Sequence, residues 1–370
     1  MSEETISGEQ ASELPRKLGF APGCIAATEM YGEEISLREV LPALGISLET
    51  PKDLSCCGAP LRSINLAIPK YLAARNLAIF EKEGLDVLTP CAQCHLVYSE
   101  TLDLMSRHPE DFEQINQLLS ADGLRFEGKV KVYHTVDLLH DVVGIDRLKE
   151  KAAEPFQGQS VAAHYGCHLI RPNTVPRPDH PEQPVKMEAL LSAMGLEAPG
   201  YPERLNCCGA PIHVNHPDSA LTKTGQKLAA VRDRGFDALT VACPWGYRMF
   251  DARQRSAADT VGEKLQVPVY TLGQLVGLFM GIDPEKLGIH LNKSPRGAIM
   301  GQSEKPREAS SGTESEPSAG QSAEPSAEQS AEPSAEQSAE QSAEQPAEQP
   351  VEQKPDEAPA VDEKTDGGGE

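Results

Sequence analysis

The sequence predicts an α/β protein of two pseudo-repeated domains, with cysteine clusters at the strand ends and a disordered C-terminal tail. Three observations predict it: a Cys-Cys-Gly motif occurs twice, short apolar runs alternate with helical stretches in both halves, and composition changes abruptly after residue 300.

The repeat is literal at its centre. Cys56-Cys57-Gly58-Ala59-Pro60 recurs as Cys207-Cys208-Gly209-Ala210-Pro211 at an offset of 151. At that offset Leu77-Ala78 matches Leu228-Ala229, Gly84 matches Gly235, Asp86 matches Asp237, and Leu88-Thr89 matches Leu239-Thr240. One inserted residue then brings Cys91 onto Cys243. Val132-Tyr133 and Gly144-Ile145-Asp146 pair with Val269-Tyr270 and Gly281-Ile282-Asp283 at an offset of 137, so loops of different length separate equivalent parts. Two domains follow, about 15–150 and 157–295, with the Pro-, Asp- and His-rich residues 172–186 as an insertion in the second.

Within each half, residues 18–21 and 160–164 are apolar runs entering a cysteine, and 85–89 and 236–241 enter the next. Between them the spacing predicts a helix over 70–83, with Leu72, Ile79 and Phe80 near one face and Gly84 as its terminator. Residues 226–234 repeat this and stop at Gly235. Strands alternating with helices make largely parallel sheets, which place their sites at strand ends.

Residues 301–370 are Ser, Ala, Glu, Gln and Pro repeats that cannot offset the entropy of ordering, and disorder is expected. They hold 18 acidic and 4 basic residues, so the rest of the chain carries −8 of the net −22. That balance, with no Lys/Arg cluster, argues against nucleic-acid binding. The tail reads as a solubilising spacer or an acidic docking arm. No run of about 20 apolar residues appears, so no transmembrane segment is expected. Met1-Ser2-Glu3-Glu4 precedes no apolar stretch of a secretory signal. A cytoplasmic compartment is the expectation, with any membrane contact made through partners. There, nine cysteines point to metal or redox chemistry rather than disulfides.

The cysteines form two groups: Cys24, Cys56, Cys57, Cys91 and Cys94, then Cys167, Cys207, Cys208 and Cys243. In the first, 31 residues separate Cys24 from the Cys-Cys-Gly turn and 32 separate that turn from Cys91-Ala92-Gln93-Cys94. Adjacent thiolates strain the backbone at one ordinary metal ion, whereas a multi-iron cluster lets them reach different irons. Five thiolates exceed the four that an ordinary cluster takes. Cys91-Ala92-Gln93-Cys94-His95 also fits a c-type haem attachment motif, which needs export. Structural zinc could use four of these cysteines but leaves their adjacency unexplained.

Phe20-Ala21-Pro22-Gly23-Cys24, followed by CCGAP and CxxC, closely resembles the CCG-domain family, best represented by the B subunit of heterodisulfide reductase. The resemblance spans residues 18 to about 290. It implies a noncubane [4Fe-4S] cluster held by Cys24, Cys56, Cys57, Cys91 and Cys94. The second half departs from the pattern, because the position equivalent to Cys94 is Gly246, in Cys243-Pro244-Trp245-Gly246. Its four remaining cysteines suit a second iron–sulfur cluster of another type, or leave one thiol free toward substrate.

His95, His164, His168, His213 and His216 lie near these cysteines in sequence, where hydrogen bonding to sulfur or backbone is the plainer reading. His164 and His168 flank Cys167 and are the candidates for proton delivery to a nascent thiolate. Arg62, Arg171 and Arg248 read as surface ion pairs or as contacts to an anionic substrate. Trp245 and Tyr247 either fill the missing ligand's volume or wall a pocket. No dinucleotide-binding or Walker motif is present, so electrons must come from a partner, another iron–sulfur or flavin subunit. The resemblance implies a subunit that exchanges electrons with a small thiol or disulfide. A noncatalytic electron carrier of a succinate- or fumarate-reductase-like complex is the alternative, and a zinc scaffold is the third reading.

Overall fold

Each apolar run that enters a cysteine is a strand of a parallel sheet. In the computed structural model, which describes residues 14–300, the first sheet holds β1 (Lys17–Phe20), β2 (Ser47–Glu49), β3 (Val87–Thr89) and β4 (Val132–His134), in the order β2-β1-β3-β4. The second sheet holds β5 (Val161–His164), β6 (Ala238–Val241) and β7 (Val269–Thr271) in that order. Register aligns Phe20 with Leu88 and Leu88 with Tyr133 in the first sheet, and His164 with Val241 in the second. A parallel bridge between Ser160 and Glu197 extends the second sheet beyond β5, where β2 lies in the first. The expectation of an α/β protein with parallel sheets in both halves is met. The expected disordered tail, 301–370, lies outside the described residues.

Central strands β3, β5 and β6 are buried along their whole length, as parallel strands covered by helices must be. The Ala67–Lys82 helix buries Ala73, Ala74, Leu77, Ala78 and Phe80, and ends at Gly84, whose φ is +67°. Its counterpart, Pro217–Asp233, starts well before residue 226. Its buried face includes Thr224, Gly225 and Lys227, which give no apolar periodicity to read.

The halves share their packing. One cluster of buried side chains runs from Leu18, Phe20 and Leu37 through Val161 and Leu190 to Leu275 and Val276. Ile25 and Met30 of the first half pack with Leu239, Val241 and Phe250 of the second. The helix Leu272–Phe279 lies on Tyr31–Ala43, so closely that a Cβ at Gly273 would stand 2.7 Å from Ser36 Oγ. The 172–186 insertion folds back: Arg177 Nε donates to the Leu169 carbonyl at 3.2 Å, and Thr174 and Val175 line a groove with Val97, Glu100 and Leu104 of the Ala92–Arg107 helix.

Candidate functional site

Parallel strands deliver their C-terminal ends to one edge of each sheet, and four cysteines leave from those ends. Cys24 follows β1 and Cys91 follows β3; Cys167 and Cys243 follow β5 and β6 in the same way. Helices begin at once, with Cys91 as N-cap of Ala92–Arg107 and Cys243 as N-cap of Pro244–Tyr247. The Cys-Cys-Gly turns close the sites from the side. Gly58 and Gly209 are left-handed, with φ of +83° and +87°, and each turns its own N–H back onto a thiol. Gly58 N donates to Cys56 Sγ at 3.4 Å, and Gly209 N to Cys207 Sγ at 3.4 Å.

The first five cysteines form a continuous chain of interacting thiols: Cys24 with Cys56, Cys56 with Cys57, Cys57 with Cys94, and Cys94 with Cys91. The thiols of Cys24 and Cys57, with the Gly58 N–H, hold Cys56 down to about 2 against the burial that would push it up. Cys24 is raised in turn by Cys56 and by burial. Cys57, Cys91 and Cys94 are buried, while Cys24 and Cys56 are partly exposed. A cavity of about 340 Å³ lies beside them, lined by Cys24, Cys56, Cys57, Cys94, Leu54 and Tyr98. Among the described residues no three His, Cys, Asp or Glu side chains converge on a single-ion position. Thiols strung along a cavity wall fit a multi-iron group, whose ligands go to different irons, better than one zinc ion.

The second set repeats part of this. Cys167 and Cys208 hold Cys207 down to about 2, with the Gly209 N–H as a further donor. Cys243 is buried and interacts with Cys91 across the halves. That contact holds Cys91 well below the ordinary thiol range, with the Cys94 thiol adding to it. The space beside Cys167, lined by His164, Tyr165 and Ile170, is only about 10 Å³, although Cys167 and Cys207 are partly exposed just as Cys24 and Cys56 are.

The histidines separate by surroundings. His168 is partly buried, with Nδ1 3.8 Å from Cys167 Sγ. His164 is 1% exposed, packs edge to face on Phe250 with ring centroids 4.9 Å apart, and is pushed down to about 3 by burial, with Lys227 adding to the effect. His95 is buried and stacks edge to face with His134. His213 is partly exposed and His216 exposed at a helix start. The three arginines all meet carboxylates: Arg62 with Glu100 at 2.8 Å, Arg171 with Glu182 at 2.8 Å, and Arg248 with Glu29 at 2.7 Å. Tyr247 is buried and bonds Asn292, while Trp245 packs under the Arg248 guanidinium.

Sequence reading missed three neighbours of the site. Asn76, on the buried face of the Ala67–Lys82 helix, accepts from the Ser55 N–H at 2.9 Å and donates to Tyr98 Oη at 3.2 Å. Lys227 is its equivalent in the repeat and is 1% exposed. Glu33 is buried, its Oε2 unpartnered, and its carboxyl is pushed well above the usual carboxylate range by burial, with the nearby Cys91 adding to the effect. Asn76 and Lys227 were detectable as polar residues interrupting an apolar helix face. Glu33 was not, because an acidic residue in a first helical turn is ordinary.

Comparison with known proteins agrees with this layout. A family model described as a cysteine-rich domain, CCG, matches residues 18–98 and 161–251. The chain is 31% identical to the B subunit of the ferredoxin/F(420)H(2)-dependent CoB-CoM heterodisulfide reductase of Methanosarcina acetivorans, over 75% of this chain and 93% of that one. It is 30% identical to the 8-methylmenaquinol:fumarate reductase membrane anchor subunit of Wolinella succinogenes, over 75% and 97%. Among solved structures, a hypothetical protein from Helicobacter pylori shares the fold with a TM-score of 0.61 at 16% identity, covering 76% of this chain and 52% of that one.

Proposed function

The chain belongs to the CCG cysteine-rich domain family that includes the B subunits of heterodisulfide reductases, and from that premise we propose that it is the sulfur-reactive iron–sulfur subunit of a multi-subunit redox complex. The observation that carries this reading is the run of five interacting cysteines beside a cavity of about 340 Å³. Cys24, Cys56, Cys57, Cys91 and Cys94 would hold a noncubane [4Fe-4S] cluster, and Cys167, Cys207, Cys208 and Cys243 a second iron–sulfur cluster of different ligation. When bound, such groups supply electrons one at a time and an iron site for a sulfur ligand.

The protein's own part is to shape access. Leu54, Pro51 and Tyr98 wall the cavity, which leaves room for a small thiol or disulfide against the partly exposed Cys24 and Cys56. Reduction of a disulfide takes two electrons, delivered from a partner iron–sulfur or flavin subunit, and two protons, and yields two thiols. His168 Nδ1 lies 3.8 Å from Cys167 Sγ, which supports a proton-handling role at the second set rather than at this cavity. Among the described residues no helix is long and apolar enough to cross a membrane, and membrane contact would come through partners.

A second reading has its own support. The Wolinella relative is named as a membrane anchor subunit of a fumarate reductase, and an electron relay needs no substrate. Adding a thiol or disulfide to the anaerobically purified, reduced protein separates the two. A changed paramagnetic spectrum is expected; indifference to every sulfur compound tried, at full iron content, would leave the relay. Ligand assignment is tested by Cys94→Ala, which should lose the noncubane spectrum while the second set's iron remains. An unchanged spectrum would refute it.

A further inference from the structure

The position that lacks its cysteine is not left as a gap. A Cβ built on Gly246 would stand 3.3 Å from His164 Cδ2 and 3.5 Å from His164 Nε2. In the first half the equivalent pair is Ala21 and Cys94, which line the same cavity. The two halves have thus exchanged sizes: small residue and cysteine in one, imidazole and glycine in the other. The ring reaches into the space that the fifth thiol's side chain would take, with Phe250 Cε2 next at 3.9 Å.

The ring's polarity is unaccounted for. His164 is 1% exposed, and neither Nδ1 nor Nε2 has a hydrogen-bond partner. The Arg204 backbone is near enough to affect it but completes no hydrogen bond. Leaving a buried ring nitrogen unsatisfied forfeits its hydration with nothing in return, and an aromatic packing role would be served as well by phenylalanine. The surroundings differ from the first half in the same sense. Tyr98, which bonds Asn76 there, has Phe250 as its counterpart, so no hydroxyl meets the imidazole.

We propose that His164 supplies, through an imidazole nitrogen, the ligand that Gly246 cannot, so that the second set is Cys167, Cys207, Cys208, Cys243 and His164. The proposal rests on the reading of the second half as an iron–sulfur site. A backbone carbonyl close to a ring nitrogen is the usual orienting partner of a metal-bound histidine, and the Arg204 backbone lies beside this ring. A neutral imidazole in place of a thiolate makes the ligand set less negative by one charge. That raises the reduction potential, as replacing cysteine by histidine does in iron–sulfur centres generally. The second site would therefore accept electrons more readily than an all-thiolate copy of the first.

The test uses the full chain, purified anaerobically with iron and acid-labile sulfide counted, and grown with 15N-histidine for pulsed paramagnetic resonance of the reduced protein. A directly bonded nitrogen coupling is expected in the wild type and absent in His164→Ala, with the first set's signal unchanged. The double variant His164→Ala/Gly246→Cys restores the first half's arrangement; it should regain iron, show no nitrogen coupling and have a lower reduction potential. It also decides the matter if His164→Ala alone fails to fold. An iron-replete wild type without coupling, or coupling that survives in either variant, would overturn the ligand assignment and leave the iron–sulfur reading intact. Iron sufficient for the first set alone would overturn that reading of the second half, and this proposal with it.

Discussion

Gly58 and Gly84 both sit at positive φ, +83° and +67°, yet their surroundings separate what each contributes. A Cβ at Gly58 would stand 2.6 Å from Pro69 Cα, against backbone that cannot move aside, whereas nothing lies within 4 Å of one at Gly84. Gly84→Ala therefore meets only the left-handed strain and should cost about 1 kcal/mol. Gly58→Ala adds a backbone clash in the turn that aims Cys56 and Cys57. We expect a loss of about 3 kcal/mol or more, together with lost iron from the first set. Denaturant melts and iron analysis of the two variants check this; equal costs would show that the turn has room to relax.

At the scale of elements, the short helical segment after β4 is held by a reciprocal cap. Asp137 Oδ1 accepts from the backbone N–H of His134 at 2.7 Å and of Leu138 at 3.1 Å, while His134 Nδ1 accepts from Val136 N at 3.2 Å. Burial pushes the Asp137 carboxyl up to about 7 despite those donors. The folded value lies above the unfolded one, so the stability linked to the protonated form is complete below about pH 4. It is lost as pH rises through about 7. Asp137→Asn keeps an acceptor for the cap and cannot ionise. The wild type should lose on the order of 1–2 kcal/mol between about pH 5 and pH 8, allowing for the carboxyl's partial exposure, and the variant should lose less by that amount. Parallel pH profiles for the two proteins would disprove the assignment.

For the whole molecule, the two sheets are not independent lobes, since side chains from both enter the same buried clusters and Cys91 interacts with Cys243 across the halves. Heating should therefore give one transition, in which helix content and the iron–sulfur absorbance disappear together. Two separated transitions would mean that the halves fold alone. By the same reasoning a fragment ending near residue 155 should be insoluble or lose its iron, because it would expose the face that Leu275, Val276 and the Leu272–Phe279 helix now cover.

The α/β class, the duplication, the strands that enter cysteines and the asymmetry between Cys94 and Gly246 could all be read along the chain. Those properties are written in spacing, in apolar runs and in literal repetition. The full length of the second long helix could not, because its buried Thr224, Gly225 and Lys227 carry no apolar signal, and neither could the sharing of one core by both halves. The hole at Gly246 was marked in the sequence without any sign of what stands in it. Folding brought His164 there, because β5 and the turn after β6 are far apart in sequence and adjacent only through the parallel register that sets His164 beside Val241. Spacing along the chain fixes which donors are available; which of them faces a given position depends on how the strands are laid side by side.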